Sequence, residues 1–199
     1  MKMCVVAARA GSKGLPDKNI KMFAGKPLLA HTVEQARESG IFDIIAVTSD
    51  SDRYLEIGRE AGANLLIDRP AELATDTISK PPVLRHALAM AEAQAGQEME
   101  MLFDLQPTSP LRMPGDIPGA ARTLSERPDL YNVVSVSHAK ASPYYTLVEE
   151  TADGRVELSK PRDGRYGRRQ DLPSCYELNG SIYAWRRQPI LAEMPALTD

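Results

Sequence analysis

Residues 3–14 read MCVVAARAGSKG, an uninterrupted apolar run that turns into a loop rich in glycine and cations. A short apolar run of this kind is typical of a strand that is buried on both faces of a sheet. The polar residues follow directly, so they would leave the carboxyl end of that strand. We therefore predict a first strand over residues 3–8 and a ligand-binding loop over residues 9–19.

Beyond this loop, apolar strands and helical segments alternate along the chain. The patterns predict helices at residues 28–39, 53–61, 81–95 and 117–125, and strands at residues 44–47, 64–67, 101–105, 132–137 and 181–185. The polar run at residues 48–52 is expected to cap the second helix. Such alternation is typical of a mostly parallel sheet with helices on both faces, so the predicted fold class is α/β.

The sequence changes character over residues 138–176. Two exposed strands, at residues 144–149 and 155–158, flank the hairpin signal Asp153-Gly154, and a basic loop follows. Because residues 181–185 return to the pattern of a buried strand, we interpret the segment as an inserted flap within one domain over residues 1–199.

The composition excludes several classes of protein. The 199 residues carry 24 Lys and Arg against 27 Asp and Glu, and 43% are hydrophobic. One full core is therefore possible, but no overall positive field attracts nucleic acid. The apolar runs are too short for a membrane span or a signal peptide. We therefore expect no nucleic-acid or membrane partner. Because Cys4 and Cys175 form no disulfide framework, we also expect a cytoplasmic protein.

The first loop has the chemistry of a phosphate site. Ligands of such sheets bind at the carboxyl ends of the strands. Gly11 and Gly14 permit close approach of the backbone, and Arg9, Lys13 and Lys18 supply positive charge. The loop lacks the ending of a Walker motif and the three glycines of a dinucleotide fingerprint. We predict a polyphosphate site, with a solvated glycine-rich turn as the alternative.

The same loop resembles a known family. ARAGSKGLPDKN at residues 8–19 is similar to the opening motif of the acylneuraminate cytidylyltransferases. Further motifs agree in order: DRPAELATDT at 68–77, LQPTSPLR at 105–112, RRQDLP at 168–173 and NGSIY at 179–183. The resemblance implies a three-layer Rossmann-like nucleotidyltransferase fold, with a mostly parallel central sheet and an inserted β-hairpin dimerisation flap.

The resemblance also implies an activity: transfer of CMP from CTP to the anomeric hydroxyl of an acidic nine-carbon 2-keto sugar, with Mg²⁺ and release of pyrophosphate. The nucleotide-binding residues that it implies are Ala8, Arg9, Ser12, Lys18, Asn19, Arg69, Thr77 and Ser79. Arg9, Lys18 and Arg168 are the implied catalytic residues. Arg9 and Lys18 would neutralise phosphate charge during in-line attack. For Arg69, pairing with Asp68 or Asp76 is the alternative.

The implied sugar-binding residues are Gln106, Thr108, Ser109, Arg169, Asn179 and Tyr183. Uncharged donors and acceptors suit a polyhydroxylated acceptor, although Pro107 and Pro110 also fit a merely rigid turn. In this family the flap crosses a dimer interface. The resemblance therefore implies a homodimer in which Arg168 or Arg169 reaches the partner's site.

Departures from the family pattern leave two questions open. Residues 78–80 and Glu177 differ from close relatives, so sialic, legionaminic and pseudaminic acids all remain candidates. The family's Asp-x-Asp element for Mg²⁺ does not occur before Asp199, so the carboxyl end is expected to be truncated relative to the family and the metal ligands are unknown. Asp50, Asp52 and Asp104 are interpreted as caps or surface charges. The alternatives are a ketodeoxyoctonate-type cytidylyltransferase, or a nucleotide-binding module without turnover.

Overall fold

The computed structural model describes residues 1–11, 14–161 and 168–197, with the side chain of Arg169 outside this description. The chain divides into two compact units. The first comprises residues 1–135 and 180–199, and the second comprises residues 136–179.

Apolar runs become strands and amphipathic segments become helices, close to the predicted bounds. The strands are β1 Lys2–Ala7, β2 Met22–Phe23, β3 Lys26–Pro27, β4 Ile44–Ser49, β5 Leu65–Asp68, β6 Met101–Leu105, β7 Asn132–His138, β8 Val148–Glu150, β9 Val156–Leu158 and β10 Tyr176–Arg186. The α-helices are α1 Leu28–Glu38, α2 Asp52–Ala61, α3 Lys80–Ala95, α4 Asp116–Glu126 and α5 Arg187–Leu191. Single 3₁₀ turns cover Lys18–Ile20, Ala71–Leu73 and Arg169–Asp171.

The central sheet has the strand order β5-β4-β1-β6-β10-β7. β1 pairs in parallel with both β4 and β6, and β4 pairs in parallel with β5. β10 returns antiparallel to β6. The prediction of a mostly parallel sheet is therefore confirmed, and the carboxyl ends of β1, β4, β5 and β6 meet at one edge.

Both faces of the sheet are covered, because side chains of β1 alternate between two cores. Cys4 and Val6 pack in one cluster with Leu29 of α1, and residues of α4 join the same cluster. Met3 and Val5 pack in the other cluster with Leu84 of α3. This is the three-layer arrangement expected of an α/β fold.

The cap predicted for the second helix is wrong in one respect. The side chain of Ser51 makes no capping hydrogen bond. The backbone carbonyl of Ser51 instead accepts hydrogen bonds from the amides of Tyr54 and Leu55. Asp50 turns the other way: its Oδ1 accepts from the amide of Ala10 at 2.8 Å. The carboxylate after β4 thus holds the first loop in place of capping α2.

The second unit contains a hairpin where one was predicted, but the first strand forms only over Val148–Glu150 and not over residues 144–149, because residues 143–146 form a turn. β8 pairs antiparallel with β9, with Glu149 opposite Glu157, and Gly154 has a φ of 78° in the connecting turn. Positive φ suits glycine there because it has no side chain to clash. The role of this segment as a dimerisation flap stays a prediction. Among the described residues, none of the helices has the length and apolar character that crossing a bilayer requires.

Candidate functional site

A cavity of about 600 Å³ lies where the loops after β1, β5 and β6 meet, and we name it the first cavity. It brings together residues that the sequence spreads over a hundred positions. The predicted site residues that line it are Arg9, Lys18, Asn19, Arg69, Ser79, Gln106 and Thr108. Because three of these are cations, the first cavity suits an anion with several charges.

Arg69 is a buried cation held in a fixed orientation. Its Nε lies 3.3 Å from Thr48 Oγ1, and its Nη2 donates to the Thr48 carbonyl at 2.6 Å. The alternative interpretation, in which Asp68 or Asp76 holds Arg69, is therefore wrong, because Thr48 provides the anchor. Burial lowers the pKa of Arg69, but arginine stays protonated at neutral pH.

Arg9 forms an ion pair with the carboxylate of Asp76, and each side chain is about one third exposed. The backbone carbonyl of Arg9 accepts a hydrogen bond of 3.2 Å from Nδ2 of the buried Asn19. The first loop is thereby closed on itself around the cavity. The ion pair also links it to the loop after β5.

A further contact anchors the far end of the first loop. The hydroxyl of Tyr54, a buried residue of α2, donates to Asp17 Oδ1 at 3.1 Å. Burial, and then the bond to Asp17, raises the pKa of Tyr54 to about 12. Asp17 has a left-handed backbone, with a φ of 51°. Ser12, a predicted phosphate contact in the same loop, lies outside the described residues.

Arg112 is the main residue of the site that sequence reasoning missed. Its Nη2 donates to the carbonyls of Gln106 and Ser181 at 2.6 and 2.9 Å, and its Nη1 donates to Gln35 Oε1 at 3.0 Å. Burial lowers its pKa to about 10, which leaves it protonated at neutral pH. Arg112 therefore sets the shape of the loop after β6. The sequence signal that could have indicated this role is the position of Arg112 at the end of a loop with two prolines, Pro107 and Pro110.

Asp104 and Lys80 were also missed. The interpretation of Asp104 as a cap or a surface charge is wrong, because its side chain is only 4% exposed and lies next to Lys80. Lys80 Nζ is 2.9 Å from Oδ1 and 3.0 Å from Oδ2 of Asp104, and Gln106 Nε2 donates to Oδ2 at 2.8 Å. The three residues form one network, which we name the Asp104 network.

A second cavity, of about 240 Å³, adjoins this network. Lys80 and Gln106 line both cavities, whereas Asp104 and the predicted sugar-binding residue Tyr183 line only the second. Burial is the main cause that raises the pKa of Tyr183, so its hydroxyl is neutral at pH 7. The second cavity is otherwise mostly apolar, with Leu84, Trp185, Ile190 and Met194 among its lining residues.

Other predicted residues lie outside the cavity linings. Ala8 is buried in the core, and its amide donates to the Thr48 carbonyl at 3.0 Å. Ser109 donates to the Gly180 carbonyl at 3.5 Å, and Thr77 is exposed beside Thr75. Within the second unit, Asn179 and Arg168 are exposed. The side chain of Arg169 falls outside the described residues, so its predicted contact stays a prediction.

The carboxylates that line the two cavities, Asp76, Asp104 and Glu193, each form an ion pair with a cation of the protein. Within the described parts of the chain, no group of three or more His, Cys, Asp or Glu side chains could hold an ion. Asp76 pairs with Arg9 and Asp104 pairs with Lys80, so each is neutralised by a cation. Of the histidines, His31 contacts the Phe23 carbonyl and His138 stacks on Tyr176.

Known proteins resemble this chain along nearly its whole length. The family model described as cytidylyltransferase matches residues 3–196. A CMP-N,N'-diacetyllegionaminic acid synthase of Campylobacter jejuni is 34% identical over 189 residues, which cover 95% of this chain and 79% of that relative. An N-acylneuraminate cytidylyltransferase of Streptococcus agalactiae is 37% identical over 198 residues, which cover 98% of this chain and 46% of that relative.

A solved structure shares the fold. The CMP:2-keto-3-deoxy-manno-octonic acid synthetase complexed with CTP superposes with a TM-score of 0.67 at 21% identity, covering 98% of this chain and 78% of that one. At this identity the likeness concerns the fold alone. The family match and the relatives show that the chain belongs to the cytidylyltransferase family, whose members are nucleotidyltransferases that use CTP.

Proposed function

We propose that this protein transfers CMP from CTP to the anomeric hydroxyl of an acidic nine-carbon 2-keto sugar and releases pyrophosphate. The observation that carries the proposal is the first cavity, which is lined both by the cations Arg9, Lys18 and Arg69 and by the uncharged residues Gln106 and Thr108. The cations suit a triphosphate, and the uncharged groups suit a polyhydroxylated acceptor.

The reaction is an in-line displacement at the α-phosphorus. The anomeric oxygen forms a bond to that phosphorus, the bond to the β-phosphate oxygen breaks, and pyrophosphate leaves. The hydroxyl proton passes to solvent, since we assign it to no side chain. Arg9 and Lys18 stabilise the charge on the phosphates, and the anchored Arg69 binds the nucleotide. Asn19, buried beside Arg9, offers an amide to the base or ribose.

The names of the relatives support a nine-carbon acidic sugar as the acceptor. Both the legionaminic acid synthase and the acylneuraminate enzyme activate sugars of this class, and each resembles the chain over at least 95% of its length. The shared fold with a ketodeoxyoctonate enzyme makes an eight-carbon acid the second candidate. A nucleotide-binding module without turnover is the third.

Mg²⁺ is part of this proposal, but the described residues do not form a site for it. Mg²⁺ prefers one or two free carboxylates together with phosphate oxygens and water. Asp76 and Asp104 are each bound to a cation, so neither is a free ligand. We therefore assign no residue to the metal. Pyrophosphate release measured with and without MgCl₂ tests the requirement.

We also propose a homodimer. The hairpin of the second unit exposes Tyr145, Leu147, Val148 and Val156, and a second copy would cover this apolar strip. Light scattering tests the oligomeric state. Mixing an Arg168→Ala, Arg169→Ala variant with Arg9→Ala tests whether the arginines act across subunits, because hybrid dimers would then recover activity. A monomer at micromolar concentration would refute the dimer.

The decisive experiment measures pyrophosphate release from CTP, ATP, GTP and UTP with a panel of acceptors. The panel contains N-acetylneuraminate, N,N'-diacetyllegionaminate, pseudaminate and ketodeoxyoctonate. We expect release with CTP and a nine-carbon acid. Turnover of ketodeoxyoctonate alone would support the second candidate, and nucleotide binding without release would support the third. Equal affinity for all four nucleotides in calorimetry would refute the expected specificity for CTP.

A further inference from the structure

Lys80 occupies a distinctive place, because it lies in the wall that the two cavities share. We propose that Lys80 binds the carboxylate of the acidic acceptor, and that Asp104 is the positioning residue that holds Lys80 at this wall. The inference rests on the proposed function and deepens it by naming how the acid is recognised.

The Asp104 network holds the Lys80 ammonium in place but leaves part of its hydrogen-bonding capacity for a ligand. Both carboxylate oxygens of Asp104 lie within 3.0 Å of Lys80 Nζ, and Gln106 Nε2 also donates to Oδ2. An ammonium has three protons to donate. The Lys80 side chain is 41% exposed, whereas that of Asp104 is 4% exposed. The cation is therefore anchored from the protein side and accessible from the ligand side.

The distribution of charge separates the triphosphate from the acceptor. Arg9, Lys18 and Arg69 line the first cavity and not the second. Of the described residues that line the second cavity, only Lys80 is a cation, whereas Asp104 and Glu193 are acidic. A triphosphate is therefore favoured in the first cavity and repelled from the second.

The acceptor needs a cation of its own. Its carboxylate carries one negative charge and must lie close enough to the α-phosphate for the anomeric oxygen to attack. The wall between the cavities meets both requirements, and Lys80 is the cation at that wall. Asp104 keeps the ammonium from turning toward the triphosphate, because moving Lys80 away would leave a buried carboxylate without its partner cation.

The test compares a nine-carbon acid with its own methyl ester, which lacks the charge. The acid is the panel member that the unmodified chain turns over fastest. We expect the unmodified chain to prefer the acid over the ester by about 10- to 100-fold in kcat/KM, the usual range for a charge-assisted contact. Lys80→Met should lose this preference, with kcat/KM for the ester and KM for CTP within about threefold of their original values.

Two further variants sharpen the comparison. Lys80→Arg should keep most of the preference for the acid, because it retains the charge. Asp104→Asn should raise KM for the acid more than it lowers kcat, as expected of a residue that positions another. Should Lys80→Met fail to fold, Lys80→Gln serves instead. The matched control is Lys26→Met, which removes an ion pair of 2.7 Å with Glu34 away from both cavities.

The outcomes separate the inference from the proposed function. Equal loss of acid and ester turnover in Lys80→Met would mean that Lys80 has only a structural role. A rise in KM for CTP alone would mean that it binds the triphosphate. Either result overturns the inference and leaves the proposed function intact. Failure of the unmodified chain to turn over any acid would overturn both.

Discussion

Asp76 neutralises Arg9, the cation that follows β1 and faces the first cavity. The two residues belong to loops that follow different strands, and their ion pair closes one side of the cavity. A triphosphate that binds Arg9 must therefore replace a carboxylate of the protein. Asp76 and the nucleotide therefore compete for Arg9.

We predict that Asp76→Asn binds CTP more tightly in the absence of added metal. Both side chains are about one third exposed, so solvent screens the pair and the gain should be small. We expect about a two- to fivefold lower Kd in calorimetry. Asp129→Asn removes a surface ion pair with Arg127 and should leave Kd unchanged. Weaker CTP binding by Asp76→Asn would show that the carboxylate serves the nucleotide directly.

Arg9→Ala should slow turnover by on the order of a hundredfold, because a preorganised donor to developing phosphate charge typically contributes about 3 kcal/mol. The measurement is kcat for pyrophosphate release at saturating CTP. Arg127→Ala, which also breaks an exposed ion pair, is the control and should retain full activity. An unchanged kcat for Arg9→Ala would mean that Arg9 is only a surface charge.

Tyr54→Phe should loosen the first loop and lower the free energy of unfolding by about 0.5–1.5 kcal/mol through loss of one hydrogen bond. The pKa of Tyr54 is raised to about 12, whereas an unfolded tyrosine titrates near pH 10. The extra free energy of unfolding that Tyr54 provides over phenylalanine is therefore fully present below about pH 10 and is lost as the pH rises through about 12. Urea unfolding of both proteins between pH 8 and pH 11 measures this. A constant difference would contradict the assigned pKa.

Arg112→Met should lower the free energy of unfolding by about 2–4 kcal/mol, because several partly buried acceptors lose their buried donor. The carbonyls of Gln106 and Ser181 are two of these acceptors, so KM for the acceptor should also rise. Arg122→Met, at an exposed position of α4, should stay within about 0.5 kcal/mol. If urea unfolding finds the two variants equally stable, Arg112 does not hold the loop.

Gly58→Ala should destabilise the fold by about 1–3 kcal/mol through overpacking. A Cβ at Gly58 in α2 would lie 2.7 Å from Cγ2 of Val47 in β4, and the β-branched Val47 cannot easily turn away. Gly119→Ala is the matched control in α4, where a Cβ would meet nothing within 4 Å. The control should be neutral or stabilising, because alanine favours helix. Similar unfolding free energies for both variants would refute the close packing.

The strands and helices of the first unit could be read from the sequence because their signals are local. β6 at Met101–Leu105 matches its predicted bounds, α1 ends one residue earlier than predicted, and α4 is one residue longer at each end. β10 extends further than predicted, since its first residues are exposed and lack the apolar pattern of a buried strand. The motifs were also sufficient to indicate the cytidylyltransferase family, which the comparisons confirm.

What the sequence by itself determined was therefore the fold class, the family and the loops that line the candidate site. The pairing of charges was decided only by the tertiary structure. Arg9 with Asp76 and Lys80 with Asp104 are far apart in the chain, and no local pattern distinguishes either carboxylate from an ordinary surface charge. The reason is physical: a side chain's partner depends on which loops the sheet brings to one edge, and burial then decides which charges must be paired.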